Sequence, residues 1–451
     1  MKSVRMAAMG RTAFTGQPSR AASAVPVSDS PVYPIGSAIN DAGHLEIGGC
    51  DAVELAREFG TPAFIYAPDD IRARARAYLD AFRAHAVEHE VIYASKAAPI
   101  TAVLGLLREE GLGVDVASGG ELHAALGAGF APERIYMHGN NKSAAELELA
   151  RESDVGTIVV DSIDEVALID SLLDRPQDVL IRLTPGIRPS THSKVQTGQV
   201  DSKFGIGLAH GQADGAVAAV RASRHLRLCG FHAHIGSQIL DLEPFGEAIE
   251  ALAEFAADLE PRVLNVGGGL GIAYGAGDRP PPIAAYVDVK VEGIRRLFGG
   301  ARPLPKIVIE PGRSLVGNAG VTLYTVGTVK EIPKVRTYVA VDGGMSDNLR
   351  PMLYGSRYDA LVADRAADAP SERVTVAGKH CESGDVLIEE AMLAAPRPGD
   401  VLATPATGAY GYALANNYNG VPRPPVVFCS AGDARVVVRR ETFEDLSARD
   451  V

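Results

Sequence analysis

The stretch Val263-Leu-Asn-Val-Gly-Gly-Gly269, answered further along by Lys306-Ile-Val-Ile-Glu-Pro-Gly-Arg313, decides the fold. Each is a short apolar run that ends in a turn suited to an anion. The first offers glycines that let backbone N–H groups approach closely, and the second an acid and an arginine. An open doubly wound sheet would carry its glycine-rich phosphate loop after the first strand. Here the cluster follows the seventh and eighth of eight strand candidates, where (β/α)8 barrels bind phosphate. The other six candidates are 91–94, 113–117, 134–138, 157–161, 179–183 and 228–234, with helical spacing in intervening segments such as 144–152 and 245–259. The chain is therefore read as α/β, with a (β/α)8 (TIM) barrel over 61–315.

Beyond Arg313 the texture changes to closely spaced β runs at 321–329, 337–341, 374–376, 400–403 and 426–428, separated by turn-rich breaks. These predict a C-terminal β-sandwich or β-barrel domain over 316–451. Residues 31–60, through a run near 32–47, are expected to add a strand to that domain.

The 451 residues leave room for a barrel and a second domain, at roughly 150 residues per unit. With 46% apolar and 22% charged residues the composition is that of a globular protein. The net charge of −12 gives no electrostatic footprint for a nucleic acid, and no uninterrupted apolar stretch is long enough for a membrane helix. Cys50, Cys229, Cys381 and Cys429 lie far apart without a CxxC pair, which fits a reducing cytoplasm. Before Asp29 the chain carries Lys2, Arg5, Arg11 and Arg20 and no acid. That composition is compatible with a transit peptide but lacks amphipathic periodicity. Residues 1–30 are read as a disordered or dispensable tail, with Met6 and Met9 as alternative starts.

Unusual polar residues collect at the carboxyl ends of the predicted strands, where barrel enzymes build their sites. In order they are Lys96, Asp115 with Ser118, His138 with Asn140, Asp161, Arg182, His234 with Ser237, Gly267 to Gly269, and Glu310 with Arg313. Lys96 ends an apolar strand, so desolvation is expected to strip its proton and leave an amine able to form a Schiff base. A reactive lysine beside a phosphate loop points to pyridoxal 5'-phosphate. Glu310 could pair with a protonated pyridine nitrogen and His234 could stack on the ring. His232 and His234 alternate along one strand, which leaves a metal pair open as a second reading. No further ligands stand at fixed spacings, and no metal is expected.

The motifs that carry a resemblance are Tyr93-Ala-Ser-Lys96, Asp115-Val-Ala-Ser-Gly-Gly-Glu-Leu122, His232-Ala-His-Ile-Gly-Ser-Gln238, Gly267-Gly-Gly269, Glu310-Pro-Gly-Arg-Ser314, Arg350-Pro-Met-Leu-Tyr354, Cys381-Glu-Ser-Gly-Asp385 and Gly408-Ala-Tyr410. Over roughly 61–420 the chain resembles the diaminopimelate decarboxylases, of the alanine racemase-like, fold type III class of pyridoxal-phosphate enzymes. Ala97-Ala98-Pro99 departs from the commonest pattern after the lysine.

The resemblance implies decarboxylation of meso-2,6-diaminopimelate to L-lysine and carbon dioxide. It implies that Lys96 binds the cofactor, with Asp115, His234 and Glu310 around the ring and Ser237, Gly269, Gly312, Arg313 and Tyr410 around the phosphate. Arg313, Arg350, Tyr354, Glu382 and Tyr410 would bind substrate. Cys381 would donate a proton, contributed with Glu382 by the second subunit of a homodimer. Three alternatives stay open at this point: a related decarboxylase of another carboxylated diamine or a carrier-bound amino acid, a non-catalytic cofactor-binding homologue, and a metal-dependent barrel hydrolase.

Overall fold

The computed structural model describes residues 26–187, 197–199, 201–299 and 303–451. Most of the tail expected over 1–30, including its basic residues and both alternative starts, lies outside them. Eight parallel strands form the barrel: β1 His89–Ala94, β2 Gly113–Val116, β3 Ile135–Met137, β4 Thr157–Val160, β5 Gln177–Thr184, β6 Leu226–Ala233, β7 Val263–Asn265 and β8 Lys306–Ile309. Each pairs with the next, β8 pairs with β1, and β4 with β5, so the sheet is closed. All eight strands read from the sequence are present. A two-residue strand, Ile206–Gly207, extends the sheet beside the end of β5.

The strands form because short β-branched runs, buried on both faces, alternate with segments of helical period. Glu243–Ala256 buries Phe245, Ala248, Ile249, Leu252, Ala253 and Ala256, one stripe at three- and four-residue spacing. Ser118, Ser143 and Ser162 each cap the helix that follows β2, β3 and β4. After β8 only the short Arg313–Val316 helix forms. The open place in the outer ring is taken by Pro68–Arg83, which precedes β1 and packs between Thr101–Glu109 and Ile283–Phe298.

The C-terminal sheet is built on the 13-residue strand Gly320–Ile332. That strand pairs antiparallel with Ala63–Tyr66, Arg336–Val341 and Val401–Pro405. The run near 32–47, expected to add a strand to the β domain, lies in a separate three-stranded sheet formed by residues 38–51. Its Leu45 and Ile47 pack on Val321, Ala403 and Val427 face to face, not edge to edge. The strand contributed from the first part of the chain is Ala63–Tyr66, buried on both faces. Phe64 and Tyr66 enter the barrel-side core while Ala63 and Ile65 enter the β-domain core. The period-two alternation of this one strand thus welds the two units together. No helix among the described residues is long and apolar enough to cross a membrane.

Candidate active site

A cavity of about 350 Å³ opens at the carboxyl ends of the barrel strands, within the size range of small-molecule sites. Of the site residues that the resemblance implies, all but Cys381 and Glu382 line it: Lys96, Asp115, His234, Ser237, Gly269, Glu310, Gly312, Arg313, Arg350, Tyr354 and Tyr410, and the strand-end candidates His138, Arg182 and His232 line it too. Lys96 projects from the turn after β1, Asp115 from β2, and Glu310 from just beyond β8. Arg350 and Tyr354 come from the helix Arg350–Tyr354 of the β domain. Tyr410 arrives on a loop whose backbone N–H donates to the Ala97 carbonyl at 2.7 Å, clamping the second domain to the Lys96 turn.

Glu310 is the electrostatic centre. Its carboxylate accepts from Asn265 Nδ2 at 2.7 Å and lies 3.1 Å from His232 Nε2. His138 Nε2 approaches to 2.9 Å, at an angle unsuited to a hydrogen bond. Burial alone would protonate Glu310, but His232 and His138 hold its pKa well below the ordinary value. Asp115 is pushed up to about 7, first by burial and then by facing Glu310. His234 stays neutral, because burial and then the Lys96 and Arg182 cations depress its pKa far below the usual imidazole value. Its Nδ1 accepts from the Gly268 N–H at 3.2 Å, which leaves Nε2 carrying the proton.

The expectation for Lys96 is corrected. Burial does pull its pKa down, but Asp115, Tyr410 and Glu310 together outweigh that, and the amine stands above its ordinary value. Desolvation is the largest single influence on the amine, and only the summed charges of Asp115, Tyr410 and Glu310 exceed it. Cys381 and Glu382 are not brought to this cavity. Both are exposed, on a loop where the Cys381 N–H donates to Asn419 Oδ1 at 2.9 Å. Ser118 is spent as a helix cap, Asn140 is exposed, and Asp161 is turned to the Gly205 N–H. His232 groups with His138 and Glu310, whose ligand atoms lie within 4.8 Å of one another, and His234 is not a member of that group.

Roles for Asn265, Tyr274 and Tyr358 were not read from the sequence. Asn265 sits at the end of β7, the same position rule that found its neighbours, and could have been found by it. Tyr274 and Tyr358 reach the site through packing and carry no local signal.

The donor set fits pyridoxal phosphate. A primary amine faces the cavity, an ionised carboxylate awaits a ring nitrogen, and a neutral imidazole lies nearby. For the phosphate, Ser237 Oγ is held by Arg313 Nη2 at 2.9 Å beside backbone that tolerates no side chain. A Cβ on Gly269 would meet the Gly236 carbonyl oxygen at 2.5 Å, and one on Gly312 would meet Ala94 Cβ at 2.9 Å.

Comparison with known proteins bears on the same chemistry. Residues 68–317 match the family described as pyridoxal-dependent decarboxylase, pyridoxal binding domain. The chain is 48% identical to the diaminopimelate decarboxylase of Bacillus subtilis, covering 91% of this chain and 96% of the relative. It is 44% identical to that of Mycobacterium tuberculosis, covering 93% and 98%. Among solved structures, diaminopimelate decarboxylase from M. jannaschii in co-complex with L-lysine superposes with a TM-score of 0.87 at 34% identity, covering 95% of this chain and 99% of that one. With the barrel, the amine and the carboxylate in place, this chain belongs to the diaminopimelate decarboxylase family of pyridoxal-dependent enzymes.

Proposed function

We propose that this protein removes the D-centre carboxylate of meso-2,6-diaminopimelate, giving L-lysine and carbon dioxide. The observation that carries the reading beyond its family is a pair of buried arginines in the cavity wall. Arg313 and Arg350, 6% and 4% exposed, make no ion pair among the described residues. An uncompensated buried guanidinium is costly, and a substrate with a carboxylate at its far end would supply the missing charge. A diamine with only an ammonium there would not.

Pyridoxal phosphate supplies an electron sink for the pair left behind when the carboxylate departs. Lys96 would hold it covalently, Ser237, Gly269, Gly312 and Tyr410 with Arg313 its phosphate, and Glu310, kept ionised by His232 and His138, its ring nitrogen. Neutral His234 and Asp115 would border the ring. Arg313, Arg350 and Tyr354 orient the far carboxylate of the substrate, and Tyr410 closes the cavity over it.

The departing carbon dioxide must be replaced by one proton on the same carbon. Cys381 Sγ is the donor in this reading, and Glu382 the counter-charge for the far ammonium. Since both are exposed in their own chain, they serve the cavity of a second copy, and the working unit is a homodimer. A reducing cytoplasm suits four cysteines that are all free. Release of one carbon dioxide and one L-lysine per meso-diaminopimelate consumed is the test; cofactor-loaded protein that releases neither would overturn the proposal.

A further inference from the structure

Arg313 and Arg350 reach the cavity from different domains, and one side chain joins them. Tyr274, on the loop after the Gly267 to Gly269 turn, accepts a hydrogen bond from Arg313 Nη1 through its hydroxyl. The face of the same ring lies 4.6 Å from the Arg350 guanidinium carbon. Arg350 Nη1 in turn donates to the Tyr358 hydroxyl, and the Tyr358 ring meets Tyr274 edge-on at 5.3 Å. The Arg350 Nε is buried with no hydrogen-bond partner.

A phenol is an apt neighbour for an arginine that must stay available. It accepts one N–H and fixes the plane of the fork without neutralising the charge, whereas a carboxylate in its place would satisfy the cation. The ring face stabilises the second guanidinium by its quadrupole, again without cancelling it. Two like charges sharing one aromatic ring are thus held at a set spacing, oriented and unquenched.

We propose that Tyr274 is the positioning residue that sets the two arginines for a far-end carboxylate, and so determines selectivity for substrates that carry one. The proposal rests on the decarboxylase reading above and adds to it the residue that orients the clamp.

The experiment uses cofactor-loaded wild type and Tyr274→Phe, which keeps the ring and deletes the hydroxyl. Two probes are titrated and followed by the absorbance of the bound cofactor: L-lysine, which retains the far-end carboxylate group, and D-lysine, which has the reacting D centre but only an ammonium at its far end. Loss of one charge-assisted hydrogen bond should weaken L-lysine by roughly tenfold and leave D-lysine within about twofold. KM for meso-diaminopimelate should rise by a similar roughly tenfold factor while kcat changes by less than about threefold. Tyr274→Leu, which also removes the ring, should weaken L-lysine further, with D-lysine again the control. Equal weakening of both probes, or no change in either, overturns the proposal. Failure of the wild type to release carbon dioxide from meso-diaminopimelate would sink the reaction assignment instead, and is scored separately.

Discussion

The two ends of the barrel handle buried charge in opposite ways. At the amino end Glu90 is fully satisfied: it accepts from Arg134 Nε at 2.6 Å, Tyr136 Oη at 2.8 Å and Lys306 Nζ at 3.0 Å. At the carboxyl end Arg313 and Arg350 have no acid partner among the described residues, Asp115 and Glu310 face each other, and Lys96 stands in an open cavity. Both ends are polar and largely buried, so burial does not distinguish them. What separates a structural network from a site is whether the charges already have partners. Unsatisfied groups are expensive, and a fold retains them where a ligand completes the set.

The largest expected effect breaks the carboxyl end outright. Lys96→Ala removes the amine that would hold the cofactor, and should lower kcat by at least about 10³-fold and abolish the cofactor absorbance that borohydride bleaches. Cys381→Ala comes next. It should cost about 10²-fold in turnover, the range for loss of a positioned proton donor, with cofactor absorbance intact. Mixing the two impaired variants then tests directly the proposal that two subunits share a site. Random reassortment of subunits should restore up to about a quarter of wild-type activity, because one of the two cavities in a mixed dimer has both groups. No recovery after verified subunit exchange would place Cys381 outside the partner's cavity.

The amino end should respond in stability and not in rate. Glu90→Gln leaves Arg134 and Lys306 without their carboxylate and should lower unfolding free energy by about 2 kcal/mol. Denaturant titration reads that loss. KM and kcat should stay within about twofold, since nothing at that end faces the reacting atoms. A large drop in kcat would erase the proposed division of labour between the two ends.

Much of the carboxyl end was legible because a barrel converts position in sequence into position in space. Any polar residue at the end of any strand points to one mouth, so Lys96, Asp115, Glu310 and their neighbours could be gathered without knowing a contact. The protonation of Lys96 was not legible. Its desolvation is local and visible in Tyr-Ala-Ser-Lys, while the opposing carboxylates arrive from β2 and the end of β8. Tyr274 and Tyr358 escaped for the same reason, one in a plain loop and one in another domain. The strand Ala63–Tyr66 escaped because four apolar residues before a helix carry no sign of which sheet will claim them.

Lys290 gives the comparison its sharpest and smallest test, since it sits under the carboxyl end yet outside the cavity. It is 1% exposed and among the described residues forms no ion pair, so by charge alone it resembles the arginines. Its Nζ, however, donates to the Val266 carbonyl at 2.5 Å and lies 3.5 Å from that of Gly267, propping the glycine turn from below. Burial drives its pKa from 10.5 down to about 7, with Glu310 opposing. Between those values the unfolded chain binds a proton that the folded chain does not, so stability rises with pH across that window and is lowest once the folded amine is charged. From pH 7.5 to 8.5 this one group should raise the unfolding free energy by about 1 kcal/mol. Lys290→Met should remove that part of the slope. If the slope survives, Lys290 is held charged by a partner outside its own carbonyls and belongs with the arginines; if it vanishes, an amine whose hydrogen bonds are already made is structural even where it lacks an acid, and satisfaction, not charge pairing, marks the site.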